Sequence, residues 1–306
     1  MLVQTTKPYN SIMLENIVQE FTTRYSFINS IEIGHSRLGK PIHCLTIGQG
    51  DKTILINASH HANEWITTVI LLKFLEECTE SYQSAFYAGM PDWAKKVTLH
   101  FIPMVNPDGV DLVTGFINES RIAYKDAKTM SEGDLFPDCW KANILGVDLN
   151  SNYPASWELA KKFKFAKGYT KPGPRDYVGT TPLSEPESCA MAAYTKMWGF
   201  DLTISLHTQG EVIYWRYGDH NPLGAAELAK RFSKVSGYEL EDVPDYSSHG
   251  GYRDWFIETF NRPGFTIECG VGENPLPIED FDKIYKKTAS LLWAAVFIFQ
   301  KKITKV

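Results

Sequence analysis

The residues best suited to chemistry in this 306-residue chain are two histidines and two glutamates. His61 and Glu64 lie three apart in SHHANEWIT (59–67), His207 closes DLTISLH (201–207), and Glu268 closes GFTIE (264–268). One helical turn puts His61 and Glu64 on the same side. An imidazole and a carboxylate so placed can bind one metal ion, and a second imidazole completes a His₂Glu set whose fourth tetrahedral position stays open to water or substrate. Taken singly, each signal has a plainer reading. His61 and Glu64 fit a solvated helix start with Glu64 as its N-terminal charge, and His60 competes with its neighbour as a ligand. His207 fits a hydrogen-bonded core histidine. A carboxylate ending an apolar strand is costly unless paired, so Glu268 is either a structural ion pair or a general base facing a cleft.

The elements that must position these residues alternate along the chain. Strands are expected at 43–48, 52–58, 97–103, 201–207, 212–218 and 265–268, and helices at 10–25, 64–80, 184–198, 223–236 and 278–300. The helix expected at 184–198 opens on Ser-Glu-Pro-Glu (184–187), with Ser184 as N-cap and acids in the first turn. Residues 106–183, rich in Gly, Pro, Asn and Asp, read as long functional loops. Strands bounded by helices imply a single α/β domain over 1–306, a mixed, largely parallel twisted sheet with helices on both faces. Ligands in such sheets sit beyond the carboxyl ends of the strands, where His61, His207 and Glu268 fall.

Composition narrows the function. Thirty-one basic against 36 acidic residues give a formal charge of −5, which argues against nucleic-acid partners and against an anionic membrane surface. The hydrophobic content of 43% is that of a globular chain. Five scattered cysteines, odd in number and without a C-x-x-C pair, read as mostly buried free thiols in a reducing cytosol. No signal peptide is evident in the first 30 residues, and the apolar run near 291–299 is too short to span a membrane. A cytoplasmic location is therefore expected. Oligomeric state cannot be read from these features.

Six matches stand in order along the chain: His61/Glu64, Asn106-Pro107-Asp108-Gly109, Gly146-Val147-Asp148-Leu149-Asn150, the strand-terminal His207, Tyr246 shortly before Gly250-Gly251-Tyr252-Arg253-Asp254-Trp255, and the strand-terminal Glu268. In this order, over roughly residues 30–300, the chain resembles the zinc metallocarboxypeptidases. The resemblance implies one zinc ion per chain on His61, Glu64 and His207, with Asp148 accepting the other N–H of His61. It implies Glu268 as general base and then acid, Tyr246 as a mobile hydrogen-bond donor over the substrate, and Asn150 as a partner of a substrate carboxylate. Lys141, in Cys139-Trp140-Lys141, falls where the family usually carries an Arg that helps polarise the scissile carbonyl.

Two departures bear on substrate. Exopeptidases of the family usually follow Asn150 with an Arg that grips the substrate's C-terminal carboxylate; here that residue is Ser151, and a hydroxyl cannot supply a bidentate guanidinium. Arg253 occupies the family's side-chain specificity position; it either binds a substrate carboxylate or pairs with a nearby acid. With RPGFTIECGVGENPLP (262–277), GGYRDWFI (250–257) and WKANILGVDLNSNYPASW (140–157), these residues resemble the bacterial γ-D-glutamyl-L-diamino acid peptidases. That branch implies hydrolysis of the γ-D-glutamyl–meso-diaminopimelate bond in peptidoglycan stem peptides, with muropeptides as the partner substrate. No propeptide or wall-binding LysM repeat is evident. A zinc carboxypeptidase removing acidic C-terminal residues, and a catalytically silent peptide-binding module, are the competing readings.

Overall fold

A computed structural model of the chain describes residues 2–85, 90–131, 135–244 and 248–300. Its centre is an eight-stranded mixed sheet: β1 (Asn29–His35), β2 (Pro41–Ile47), β3 (Lys52–Ala58), β4 (Val97–Ile102), β5 (Leu202–His207), β6 (Val212–Tyr214), β7 (Glu239–Glu241) and β8 (Gly264–Glu268), in the spatial order β1-β2-β4-β3-β5-β8-β6-β7. The inner strands β4, β3, β5 and β8 are mutually parallel, and β2 and β6 flank them antiparallel. Helices cover both faces, so β5 is buried along its whole length, the pattern of a parallel strand covered on each side.

Alternation along the strands explains the two layers. Ile54, Ile56, Leu202 and Ile204 face α1 (Ser11–Arg24), α2 (Ile66–Ser84), α7 (Ala225–Ser236) and α9 (Phe281–Val296). Ile42, Cys44 and Leu55 face the opposite way, toward α6 (Pro186–Trp198) and α8 (Tyr252–Phe260), which contribute Met191, Tyr194, Trp255 and Phe256. Cys44, Cys78 and Cys269 are buried thiols, whereas Cys139 is half-buried and Cys189 exposed.

The stretch 106–183 is more regular than its composition suggests. It holds α3 (Pro107–Val113), α4 (Ile122–Ser131) and α5 (Trp157–Ala166). Asn-Pro-Asp-Gly reads as a turn, yet Asn106 caps α3 by accepting from the Gly109 N–H at 3.0 Å, and Pro107 occupies the first turn, where it lacks no needed donor. The helix expected from Ser184 starts at Pro186 with Glu185 as N-cap. Glu185 and Glu187 are not solvated caps: both are buried, and Glu185 accepts from Arg37 and Asn143. The strand expected at 212–218 pairs only through Tyr214. The edge strands β1 and β7 and helix α8 carry weak or interrupted patterns and escape a periodicity reading.

The segment leading into the site turns at Gly146, whose φ of 76° lies in the left-handed region and whose carbonyl accepts from the Gly173 N–H at 3.0 Å. A Cβ there would stand 2.6 Å from that same nitrogen. Gly146→Ala is therefore expected to cost about 1–3 kcal/mol, read as a lowered urea midpoint at unchanged slope; an unaltered midpoint would contradict the turn described.

Candidate functional site

The site forms where the sheet's connectivity reverses direction. From β3 the chain passes through α2 to β4 on one side, and later returns to β5 on the other. A crevice opens at such a switch, beyond the carboxyl ends of the strands. His61 lies just past β3 and caps a single 3-10 turn, Ala62–Glu64. His207 ends β5, Glu268 ends β8, and the two are register partners.

The turn places His61 Nδ1 2.9 Å from Glu64 Oε1. His207 Nδ1 lies 2.8 Å from Glu64 Oε2, and the two Nδ1 atoms are 3.2 Å apart. Ligand atoms of the three buried residues all fall within 4.8 Å of one another. Two imidazole nitrogens and a carboxylate converging out of water concentrate acceptors that a divalent cation resolves, and the N₂O set matches zinc. The tautomer of His61 agrees: its Nε2 faces Asp148 Oδ1 at 3.2 Å, leaving Nδ1 for an ion. His60, the competing neighbour, directs Nε2 to the Tyr153 hydroxyl at 3.0 Å instead.

The electrostatics centre on Glu64. Burial penalises its charge, but His61, Lys141 and His207 outweigh that and hold its carboxyl well below the usual range. Burial likewise opposes charge on His61, yet the Glu64 carboxylate pushes its pKa up to about 9. Glu268 goes the other way, to about 8, because it is buried and faces the negative charge of Glu64.

Around this cluster the structure gathers most of the residues singled out from the sequence. Lys141 Nζ sits 3.1 Å from Glu64 Oε1. Asn150 Oδ1 accepts from the Tyr252 N–H at 3.1 Å, which leaves its amide NH₂ for a ligand. Asn150, Ser151, Asp148, Arg253, His61 and Glu268 line one cavity of about 280 Å³. Arg253 has the acid partner that one of its two readings expects. It is buried and its Nε donates to Asp254 Oδ1 at 3.0 Å, yet it also borders the cavity. Tyr246 lies outside the described residues.

Three neighbours escaped the sequence reading. Arg175 and Asp176 belong to a Pro-Gly-Pro-Arg-Asp loop (172–176), and Lys164 to α5; all line the same cavity. Adjacent opposite charges in a Pro- and Gly-rich loop were the available signal. Tyr214 also borders the cavity.

Comparison with known proteins agrees with the site's donor set. A model of the zinc carboxypeptidase family matches residues 14–290, and the chain belongs to that family. It is accordingly a metallopeptidase, a hydrolase of peptide or amide bonds. Among curated relatives, gamma-D-glutamyl-L-diamino acid endopeptidase 1 of Lysinibacillus sphaericus is 40% identical, with 97% of this chain and 74% of that protein covered. YqgT of Bacillus subtilis, itself uncharacterised, is 39% identical over 97% of this chain and 80% of its own. Bovine thrombin-activatable fibrinolysis inhibitor, solved with a tick carboxypeptidase inhibitor, superposes with a TM-score of 0.73 at 20% identity, covering 95% of this chain and 97% of that one. Murein-tripeptide amidase MpaA of Escherichia coli O157 superposes with a TM-score of 0.54 at 19% identity, covering 90% and 94%. These last two show the shared fold. No described helix is long and apolar enough to cross a membrane.

Two measurements check the cluster. With the His61 pKa near 9 in the ion-free chain, the ring carries a proton at pH 7 that zinc must expel. Calorimetric zinc titrations in buffers of different ionisation heat are expected to show release of about one proton, and affinity that rises with pH up to that value; zero release would contradict the assignment of His61. Asp148→Ala is expected to weaken zinc binding about 10–100-fold in a chelator competition, and undiminished affinity would remove Asp148 from the support of His61.

Proposed function

We propose that the chain is a zinc-dependent peptidase of the γ-D-glutamyl–meso-diaminopimelate bond in peptidoglycan stem peptides or muropeptides. The observation that carries this reading is the polarity of the cavity beside the metal cluster. Ser151 and the buried cation Arg253 both line it; by the family resemblance, Ser151 replaces the Arg with which exopeptidases grip a terminal carboxylate, and Arg253 falls at the side-chain specificity position. Diaminopimelate carries a carboxylate on its side chain, and Arg253, held by Asp254 through Nε and one terminal nitrogen, keeps its other terminal nitrogen for it. The gamma-D-glutamyl-L-diamino acid endopeptidase relative at 40% identity supports the same substrate class.

In this reading His61, Glu64 and His207 hold one zinc ion per chain, which supplies Lewis acidity toward a carbonyl oxygen and toward water. Glu268 works as the proton carrier. In the ion-free chain burial and Glu64 push its pKa to about 8; the positive charge of an ion on the three ligands would favour its carboxylate, which takes a proton from water and returns it to the departing amide nitrogen. The Lys141 ammonium, raised in pKa by Glu64 against the opposing effect of burial, stabilises charge growing on the carbonyl oxygen. As a point charge it does so without the fork of an Arg. Asn150 donates to the leaving residue, and Tyr246 donates over the bound peptide.

The test is a comparison of substrates. Purified enzyme is expected to release diaminopimelate from L-Ala-γ-D-Glu-meso-diaminopimelate and to leave ordinary peptides ending in Glu or Phe intact. Comparable release of Glu would establish the acidic carboxypeptidase reading instead, and no turnover with zinc bound would establish the silent binding module. Glu268→Gln is expected to lower kcat about 10²–10⁴-fold with zinc content unchanged; retained turnover would remove Glu268 from the reaction.

A further inference from the structure

The cleft has two lobes. The first is the cavity holding Asn150, Ser151 and Arg253, where the proposed function seats the leaving diamino acid. The second, about 780 Å³, extends the other way past Asn63, Thr208, Gln209 and Asn274, which leaves it for the acyl side of the bond under the proposed function. The lobes meet at Lys141, Arg175, Tyr214 and Glu268, which border both. Arg253 borders only the first.

Two cations therefore serve the acyl lobe, and they differ in availability. Lys141 is engaged with Glu64 at 3.1 Å. Arg175 donates through Nε to Asp176 Oδ2 at 2.6 Å, and its terminal nitrogens have no partner among the described residues. Its side chain is 53% exposed, so the guanidinium edge is open to a ligand.

Arg175 is also anchored to the reaction centre on both sides. The preceding Pro174 carbonyl accepts from the Lys141 N–H at 2.8 Å and the Ala142 N–H at 3.0 Å. The following Asp176 sits in the left-handed region at φ 66°. Its N–H donates to Asp148 Oδ2 at 3.2 Å, and its carboxylate is paired with Lys164. Asp148 thus spans His61 with one oxygen and the Arg175 loop with the other.

We propose that Arg175 determines specificity on the acyl side by binding the free α-carboxylate of a γ-linked glutamyl residue whose side-chain carbonyl is the one cleaved. The inference rests on the proposed function. An ordinary α-linked peptide presents a neutral amide beside the scissile carbonyl; a γ-linked acidic residue presents an unamidated carboxylate a few bonds away. A forked guanidinium matches that carboxylate with two parallel hydrogen bonds. The carboxylate next to the scissile nitrogen, on the diamino acid, shares this chemistry and is the other source the test separates.

The experiment uses zinc-loaded enzyme and three peptides: L-Ala-γ-D-Glu-meso-diaminopimelate, the same peptide with the D-Glu α-carboxylate amidated, and the same peptide with the diaminopimelate α-carboxylate amidated. The unaltered enzyme is expected to favour the first over the second by about 10- to 100-fold in kcat/KM, the scale of a charged hydrogen bond. Arg175→Gln is expected to collapse that ratio toward one without moving the ratio of first to third, and Arg175→Lys to restore part of it. Zinc content and unfolding midpoint report the integrity of each variant. Equal losses on acid and amide, no change on either, or a collapse of the first-to-third ratio instead would overturn the assignment. Cleavage by the unaltered enzyme with no preference for the acid refutes the inference alone; failure to cleave any γ-linked peptide refutes the proposed function and the inference with it.

Discussion

The structure depends on one buried carboxylate. Glu64 is 1% exposed, and a charge so placed is tolerable only with strong partners. It has His61 on one oxygen, His207 on the other, and Lys141 against the first. Everything nearby answers to that negative charge. It raises His61, it raises Lys141 against burial, and it pushes Glu268 toward the protonated side. A divalent cation on the same three ligands would take over this balancing role, which is why the proposed zinc site and the proposed proton carrier are parts of one electrostatic arrangement.

The sheet delivers the partners to Glu64 from distant parts of the chain. Parallel β3, β5 and β8 end on one edge, so His61, His207 and Glu268 need only be the residues at or just past each strand end. Asp148 extends the arrangement outward. It links His61 to the loop bearing Arg175, and so couples the orientation of a metal-binding imidazole to that of a charged residue on the cleft wall. In the proposed reading the substrate walls are set by positions outside the cluster, Ser151 and the cations Arg253 and Arg175, which line the adjoining cavity.

What the sequence made legible is what strand ends and ordered motifs encode. DLTISLH and GFTIE are apolar runs closed by one ionisable residue, a pattern that places His207 and Glu268 at the crevice, and His61 and Glu64 follow a strand of the same kind. What stayed hidden depends on tertiary contacts. Pro107-Asp108-Gly109 carries turn chemistry, yet becomes helical because Asn106 caps it and the segment packs against the Ala62–Glu64 turn and α1. Glu185 and Glu187 look like first-turn charges, but their burial against Arg37 and Asn143 comes from the β1–β2 turn and a loop far away in sequence. Arg175 has no periodic relation to His61. The Asp148 bridge and the Pro174 carbonyl's bonds to Lys141 and Ala142, visible once the chain is folded, bring it to the site.

The central claim is that the chain's hydrolytic activity runs on a single ion held by His61, Glu64 and His207. Metal content and turnover measured together on the same sample test it most directly. The account predicts one zinc per chain, loss of diaminopimelate release when a chelator strips it, and recovery on adding back one equivalent. Protein that stays active at negligible metal content, or that holds its zinc after His61 and His207 are both replaced, would contradict it.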